Sequence, residues 1–233
     1  MKRIVAGVVA MAVFGALYVH GRSTPKLDPT TGVVAQQRQA AIDSISQAST
    51  VVGTQLGAAS SLGARTDTAC VPGDKGWPHN DDDLYRSECW VEVTTAYAVD
   101  VPPLPALGAL DAPLAAVGWA QRGGRFPEPN WSLTAGRGAA ESFEAFTRGG
   151  YQLEDLEAVG YVGPRQASLS IQPRHADFAV PEPKLPLVPQ HGLGSYFATT
   201  QGVDWQIDWA QQRTSHSYVV IVTGSLTFAE QRW

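Results

Sequence analysis

The sequence predicts an α+β fold: an antiparallel β-sheet with helices packed on one face, preceded by a single N-terminal transmembrane helix. An uncharged apolar run occupies residues 4–19. Residues 33–62 place apolar side chains at three- and four-residue steps, which is typical of a helix with one buried side, and the helix is expected to end near Gly57 or Gly63. Several later segments alternate between apolar and polar residues, which is typical of half-buried strands. Helices combined with such strands indicate a domain in which helices cover one side of a sheet.

The N-terminal segment, residues 1–22, is predicted to be a signal anchor. As a helix its apolar run would span about 24 Å, which is the short end of the range for a bilayer-spanning helix. Lys2 and Arg3 precede the run and would stay in the cytoplasm under the positive-inside rule, so the rest of the chain is expected outside the cytoplasm. A buried core helix is disfavoured, because core helices rarely begin behind two cations and lack a polar side so completely.

A cleaved signal peptide is the alternative for the same residues. Val19 and Gly21 would permit cleavage before Arg22, but the Ala-x-Ala pattern of signal-peptide cleavage sites is absent. The anchor predicts a single-pass membrane protein with an extracytoplasmic C-terminal domain, whereas cleavage predicts a secreted protein. We favour the anchor.

Residues 23–32 are interpreted as a juxtamembrane linker and residues 33–233 as one extracytoplasmic domain. The order helix, strand, strand recurs within that domain, which suggests two similar halves. Without residues 1–22 the chain has 14 Lys and Arg residues against 22 Asp and Glu residues, a net charge of −8. Nucleic acids and anionic lipid surfaces are therefore disfavoured as partners, because both are bound through clustered cations.

The remaining elements follow from the spacing of apolar residues. In the strand at 89–99, Cys89 and Val91 begin an apolar face, whereas Trp90 and Glu92 belong to the other face. Asp111 is predicted to cap a short helix. Further strands are expected at 65–70, 131–135, 167–172, 203–209 and 218–228, further helices at 104–110, 114–117, 139–148 and 153–159, and a proline-rich connector at 173–190. The two C-terminal strands are predicted to form an antiparallel hairpin around a turn at 213–216.

The two cysteines, Cys70 and Cys89, are predicted to form a disulfide, because a single pair outside the cytoplasm is normally oxidised. Closing this loop is worth about 3 kcal/mol by the chain-entropy estimate. A metal site that also uses His79 is the alternative, but the spacing fits no usual zinc pattern and a fourth ligand is not evident.

Trp90 is the candidate binding residue. Tryptophans line carbohydrate or lipid clefts in some proteins and fill the core in others. Trp205 and Trp209 share a strand face with apolar residues and are expected in the core. Trp90 lies opposite the apolar face of its strand, so it marks a candidate binding surface.

The sequence contains no recognisable catalytic, cofactor or metal-binding motif. Asp81, Asp82 and Asp83 could hold Ca²⁺, but they lack the ligand spacing of an EF-hand, so a solvated acidic loop is favoured. Asp204 and Asp208 would lie about 13 Å apart on one strand, which is too far for a glycosidase pair at roughly 5 to 9.5 Å. The scattered histidines that we expect in surface or loop positions are His175, His191 and His216.

Three features define the layout of the chain: the apolar segment 4–19, the Ala- and Gln-rich helix at 33–62, and Cys70 followed by Cys89 and Trp90 at the start of a strand. This layout resembles that of small membrane-anchored actinobacterial proteins of unassigned function. The resemblance implies no activity and transfers no site residue.

Together these features predict a noncatalytic, membrane-tethered extracytoplasmic module that binds or assembles with another envelope protein. A domain that binds an envelope lipid or small molecule is the alternative, suggested by the tryptophan content. A hydrolase with an unrecognised site is the third hypothesis. We expect no enzyme activity, no cofactor and no bound metal.

Overall fold

The computed structural model shows an antiparallel β-sheet with helices on one side. It describes residues 26–58, 61–72, 85–125, 148–150, 153, 156, 158–175, 177, 197–202 and 215–232. The elements are α1 Gly32–Gln55, β1 Ser61–Pro72, β2 Tyr85–Val99, α2 Leu104–Gly108, α3 Asp111–Ala116, β3 Ala120–Arg125, β4 Ala158–Val162, β5 Ser168–His175, β6 Phe197–Gly202 and β7 Tyr218–Arg232. The predicted α+β class is confirmed for these residues.

The described strands form one seven-stranded sheet in the order β3-β4-β5-β7-β2-β1-β6. All the neighbouring pairs are antiparallel. Strands β6 and β7 come last in the chain, yet β6 lies outside β1 and β7 lies between β5 and β2. Early and late parts of the chain are therefore interleaved in a common sheet.

Helix α1 packs against β2 and β7 through a stripe of buried residues. Ala41, Ile45, Ala48 and Val52 are at most 2% exposed and recur at four- and three-residue steps. This spacing places their side chains on one side of a helix, where they meet the apolar side chains of the sheet. The helix prediction is confirmed here, and of the two predicted ends the structure shows the earlier one, since α1 ends at Gln55, just before Gly57.

The end of α1 follows from Gly57, which has a φ of +64°. Its amide donates to the carbonyl of Thr54, and the next amide donates to Gly53. Glycine adopts this left-handed conformation without steric cost, so it commonly ends helices. The chain is then free to turn into β1, which begins at Ser61.

Two glycines bring α1 unusually close to the sheet. A Cβ atom at Gly224 would lie 2.2 Å from Ile45 Cγ2, and one at Gly53 would lie 2.4 Å from the Tyr97 ring. The Tyr97 hydroxyl donates to the carbonyl oxygen of Ser49 at 2.8 Å and lies 3.1 Å from the Ser49 hydroxyl. Close contact and a satisfied polar pair together fix the position of α1 on the sheet.

The short helices α2 and α3 contribute Leu107 and Leu114 to the same core. Asp111 does not cap α3 as predicted, because it is the first residue of that helix and Leu110 is the cap residue. The Asp111 carboxylate instead accepts a hydrogen bond from the Tyr161 hydroxyl at 3.1 Å. Asp111 thus joins α3 to β4.

Some predicted elements were wrong in type or extent. The helix predicted at 153–159 is wrong at its end, since Ala158–Val162 is strand β4 and its side chains alternate in burial, whereas Leu153 is in a 3₁₀ conformation. The connector predicted from residue 173 begins too early, because β5 continues through Pro173 to His175. Strands β3 and β6 were not predicted.

The predicted C-terminal hairpin is wrong as well. Strand β7 is confirmed, but from Tyr218 to Ser225 it pairs with β5 on one side and with β2 on the other. Both edges of β7 are therefore already paired over these residues. A strand just before the turn at 213–216 could not form a hairpin with β7 there. The segments at 131–135, 139–147 and 203–209 lie outside the described residues, as does almost all of the proline-rich connector.

The predicted membrane anchor, residues 1–22, also lies outside the described residues. Within the described part of the chain, no helix combines the length and the apolar composition that crossing a bilayer requires.

Candidate binding surface

The disulfide lies near the end of β1 and the start of β2. Cys70 and Cys89 face each other directly in the register of these strands and are joined by a disulfide. Both residues are 0% exposed and belong to the core beneath α1. The predicted disulfide is confirmed, and it pins the register of β1 against β2. The acidic run at residues 81–83 lies outside the described residues.

Trp90 follows Cys89 and therefore faces the opposite side of the sheet, away from α1. It is half-buried, and its cross-strand neighbours are Ala69 on β1 and Thr227 on β7. Both neighbours are small, so the indole is the largest side chain in this row. The structure places Trp90 opposite the apolar face of β2, as the alternation predicted.

Hydroxyl side chains fill the rows next to Trp90. We name this region the hydroxyl face, and it comprises Trp90, Glu92, Thr94, Ser168, Ser170, Thr223, Ser225 and Thr227. All these side chains are half-buried. The Thr94 and Thr223 hydroxyls lie 3.3 Å apart, and the Ser168 and Ser225 hydroxyls lie 2.8 Å apart. Such cross-strand pairs stabilise a sheet and present groups that both donate and accept hydrogen bonds.

A buried carboxylate adjoins the hydroxyl face at β1. Asp67 is 6% exposed, and Glu92 lies opposite it on β2. Arg65 pairs with it through Nε at 2.8 Å from Oδ2 and donates from Nη2 to Oδ1 at 3.1 Å. The Thr200 hydroxyl of β6 donates to the same Oδ1. Asp67 is thus paired with a cation and accepts hydrogen bonds from Arg65 and Thr200, which suits a structural role in the face.

The hydroxyl face ends at a small apolar cluster. Leu62, Ala96, Val219 and Ile221 are at most 7% exposed and pack together on the same side of the sheet. This second cluster is separate from the core beneath α1. The polar part of the face is therefore confined to the middle of the sheet and the rows around Trp90.

The described histidines lie near the end of the sheet where β7 begins. His216 Nδ1 is 2.9 Å from Asp100 Oδ1, and the side chain of Asp100 is 68% exposed. The His175 ring lies 4.9 Å from the ring of Tyr218, centroid to centroid. In a catalytic triad the carboxylate that orients the histidine is buried. Because Asp100 is exposed, its contact with His216 instead has the features of a surface hydrogen bond.

Metal ligands do not converge in the described part of the chain, where no group of three or more His, Cys, Asp or Glu residues could hold an ion. Asp204, Asp208 and His191 lie outside the described residues, as do Trp205 and Trp209.

Comparison with known proteins adds no relative to this description. We found no protein-family model, no curated protein and no solved structure that matches the chain.

Proposed function

We propose that this protein is a noncatalytic, membrane-tethered extracytoplasmic module that binds another envelope protein through the hydroxyl face. One observation carries the proposal: Trp90 is half-buried among small and hydroxyl side chains, on the side of the sheet away from α1. Tryptophan is enriched among the residues that dominate protein–protein binding energy. A tryptophan in this position suits a binding anchor.

The location outside the cytoplasm is supported by the sequence and by the disulfide. Residues 1–22 have the charge and the apolar run of a signal anchor. The Cys70–Cys89 disulfide is compatible with an oxidising compartment, since stable disulfides are rare in the cytosol. Both features favour a domain held at the outer side of a membrane.

A protein is a better match to the hydroxyl face than a lipid is. Around Trp90 the side chains are hydroxyl groups that already pair across the strands, with Glu92 among them. Hydrocarbon chains cannot satisfy such groups, whereas the polar groups of a protein can hydrogen-bond to them. An envelope lipid or small molecule remains the alternative ligand of the same face, and the experiment below distinguishes it.

The noncatalytic part of the proposal is supported by two described sites. Asp67 is held by Arg65 and Thr200, so its oxygens are occupied by structural partners. The pair formed by His216 and Asp100 is exposed at the end of the sheet. Neither arrangement resembles a carboxylate or histidine prepared for proton transfer.

The test is cross-linking of the tagged full-length protein in cells, followed by capture and mass spectrometry of proteins and small molecules. The proposal predicts one dominant protein adduct that Trp90→Ala weakens. The control is Val33→Ala, which removes an apolar side chain that is 67% exposed near the start of α1 and should leave capture unchanged. A lipid or glycan that co-purifies without a protein partner would contradict the proposal in favour of the alternative ligand.

A further inference from the structure

The two outer strands of the described sheet, β3 and β6, differ in how open their edges are. The outer edge of a sheet has backbone N–H and C=O groups without a strand partner, and these can pair with another chain. Natural proteins usually block such edges with charged residues, prolines, irregular register or covering segments. The presence or absence of these features indicates which edge can accept a partner.

Strand β3 has two of the blocking features. Its sequence carries Arg122 and Arg125, and its pairing with β4 shifts register between Gln121 and Gly123. Positive charge and an irregular ladder both disfavour the addition of another strand. We therefore expect the β3 edge to stay unpaired.

In the described part of the chain, strand β6 shows none of these features before Gly202, which has a φ of +106°. Its sequence, FATTQG, contains no charged residue and no proline, and it pairs with β1 in continuous register. Ala198, Thr200, Gln201 and Gly202 are exposed. Among the described strands only β1 pairs with β6, so within the described part of the chain the other edge of β6 has no strand partner.

Side chains from both faces of the sheet hold β6 in place. On the α1 side, Arg38 donates to Gln201 at 3.1 Å and to Thr68 on β1 at 3.0 Å. On the other side, Thr200 donates to Asp67. An edge held straight in this way needs little ordering when a partner binds, which favours affinity.

We propose that β6 accepts an extended segment of the partner protein as an additional strand of the sheet. This inference rests on the proposed function in one respect, namely that the partner is a protein. Thr200 is part of β6 and bonds Asp67 beside Glu92, so the edge is continuous with the hydroxyl face. A partner could therefore cover the face while one of its segments pairs with the edge, as in other cases of strand addition.

The side chains of β6 indicate the kind of segment that fits. Ala198 is small and exposed on the hydroxyl-face side, so a bulky β-branched or aromatic residue of the partner would pack beside it. Phe197, which packs against the core on the α1 side, favours an apolar neighbour. We infer an uncharged extended segment with a large side chain opposite Ala198.

A second copy of this chain fits the edge less well. Antiparallel self-pairing centred on Thr200 would place Ala198 opposite Gly202, which leaves little side-chain contact on that face. A different segment with larger residues at those positions would bury more surface. We therefore assign the edge to the partner rather than to self-association.

The test is photo-cross-linking of the full-length protein in cells, with a photoreactive residue at position 198, 199 or 200 in turn. Ala120 is the matched control position, because it is an exposed alanine on the opposite edge strand. Strand addition predicts that the three β6 positions cross-link to consecutive residues of one partner segment, in ascending or descending order. Position 120 should give no such adduct.

The outcomes separate this inference from the proposed function. Adducts at position 94 on the hydroxyl face, with none at β6, would overturn strand addition and leave the proposed function standing. An adduct between two copies of this chain at β6 would contradict the assignment of the edge to a different protein. Adducts from β6 that scatter over unrelated segments would also overturn strand addition, and a loss of all adducts, including those at position 94, would overturn both proposals.

Discussion

Replacing Gly224 by alanine tests the packing of α1 on the sheet. The added Cβ would lie 2.2 Å from Ile45 Cγ2 and 3.2 Å from Ile45 Cγ1, well inside the usual carbon–carbon separation of about 3.5 to 4.0 Å. Ile45 is 0% exposed and cannot move into solvent. Overpacking of this kind costs about 1 to 3 kcal/mol. Alanine is favoured over glycine in a strand by roughly 0.5 to 1 kcal/mol. Because a 2.2 Å approach is severe, the overpacking cost lies in the upper part of its range, about 2 to 3 kcal/mol, and we expect a net loss of about 1 to 2.5 kcal/mol.

The assay is urea denaturation of the full-length protein in detergent, followed by circular dichroism, for Gly224→Ala, Ile45→Ala and the double variant. Ile45→Ala alone should cost about 2 to 5 kcal/mol. The space that Ile45→Ala creates accepts the methyl group of Gly224→Ala. The free energy lost in the double variant should therefore be smaller than the sum of the two single losses by at least about 1 kcal/mol. Additive losses, or a neutral Gly224→Ala variant, would refute the described position of α1.

Three further predictions concern the core, the β4–β5 turn and pH. Replacing Cys70 and Cys89 together by alanine should lower the free energy of unfolding by about 3 kcal/mol, and an unchanged denaturation midpoint would contradict a structural disulfide. Gln166→Gly should stabilise by about 1 kcal/mol, because Gln166 has a φ of 63° and left-handed backbone costs about 1 to 2 kcal/mol without glycine; an unchanged or lower melting temperature would contradict this turn. Burial raises the pKa of Tyr97 and of Tyr161, whose pKa is raised further by the nearby Asp111 carboxylate. The folded chain therefore keeps protons that the unfolded chain releases above about pH 10, so the stability contributed by these two tyrosines should be constant well below that pH and fall as the pH rises beyond it. Denaturation midpoints between neutral and strongly alkaline pH, compared with those of a Tyr97→Phe, Tyr161→Phe variant, measure this loss.

In the elements that were predicted well, apolar residues recur with a clear helical or strand spacing. The buried stripe of α1 and the alternation of β2 follow from local spacing, because each has one side in the core. The face of Trp90 follows from the same alternation. These features need no knowledge of the rest of the chain.

The elements that were missed lack such a period. Strand β6 is an outer strand of the described sheet and largely exposed, and its residues FATTQG do not alternate between apolar and polar. Leu153, Leu156 and Val159 imitate a helical step, but Val159 and Tyr161 are buried as alternating members of β4. Short apolar spacings cannot distinguish a helix from a short buried strand.

The hydroxyl face depends on pairings between distant parts of the chain. The alternation of Ser168 and Ser170 is visible in the sequence, but their neighbours are set by the register of β5 on β7, which pairs Ser168 with Ser225. That register is a property of the whole sheet. The local pattern therefore showed Trp90 but not the hydroxyl groups around it.

The most direct test of the proposed function is photo-cross-linking in cells from position 94, in the middle of the hydroxyl face. Position 47 on the exposed side of α1 serves as the control. The proposal predicts a dominant adduct with one envelope protein from position 94, reduced by Trp90→Ala, and none from position 47. Adducts of equal yield and identity from both positions, or a lipid adduct from position 94, would contradict it.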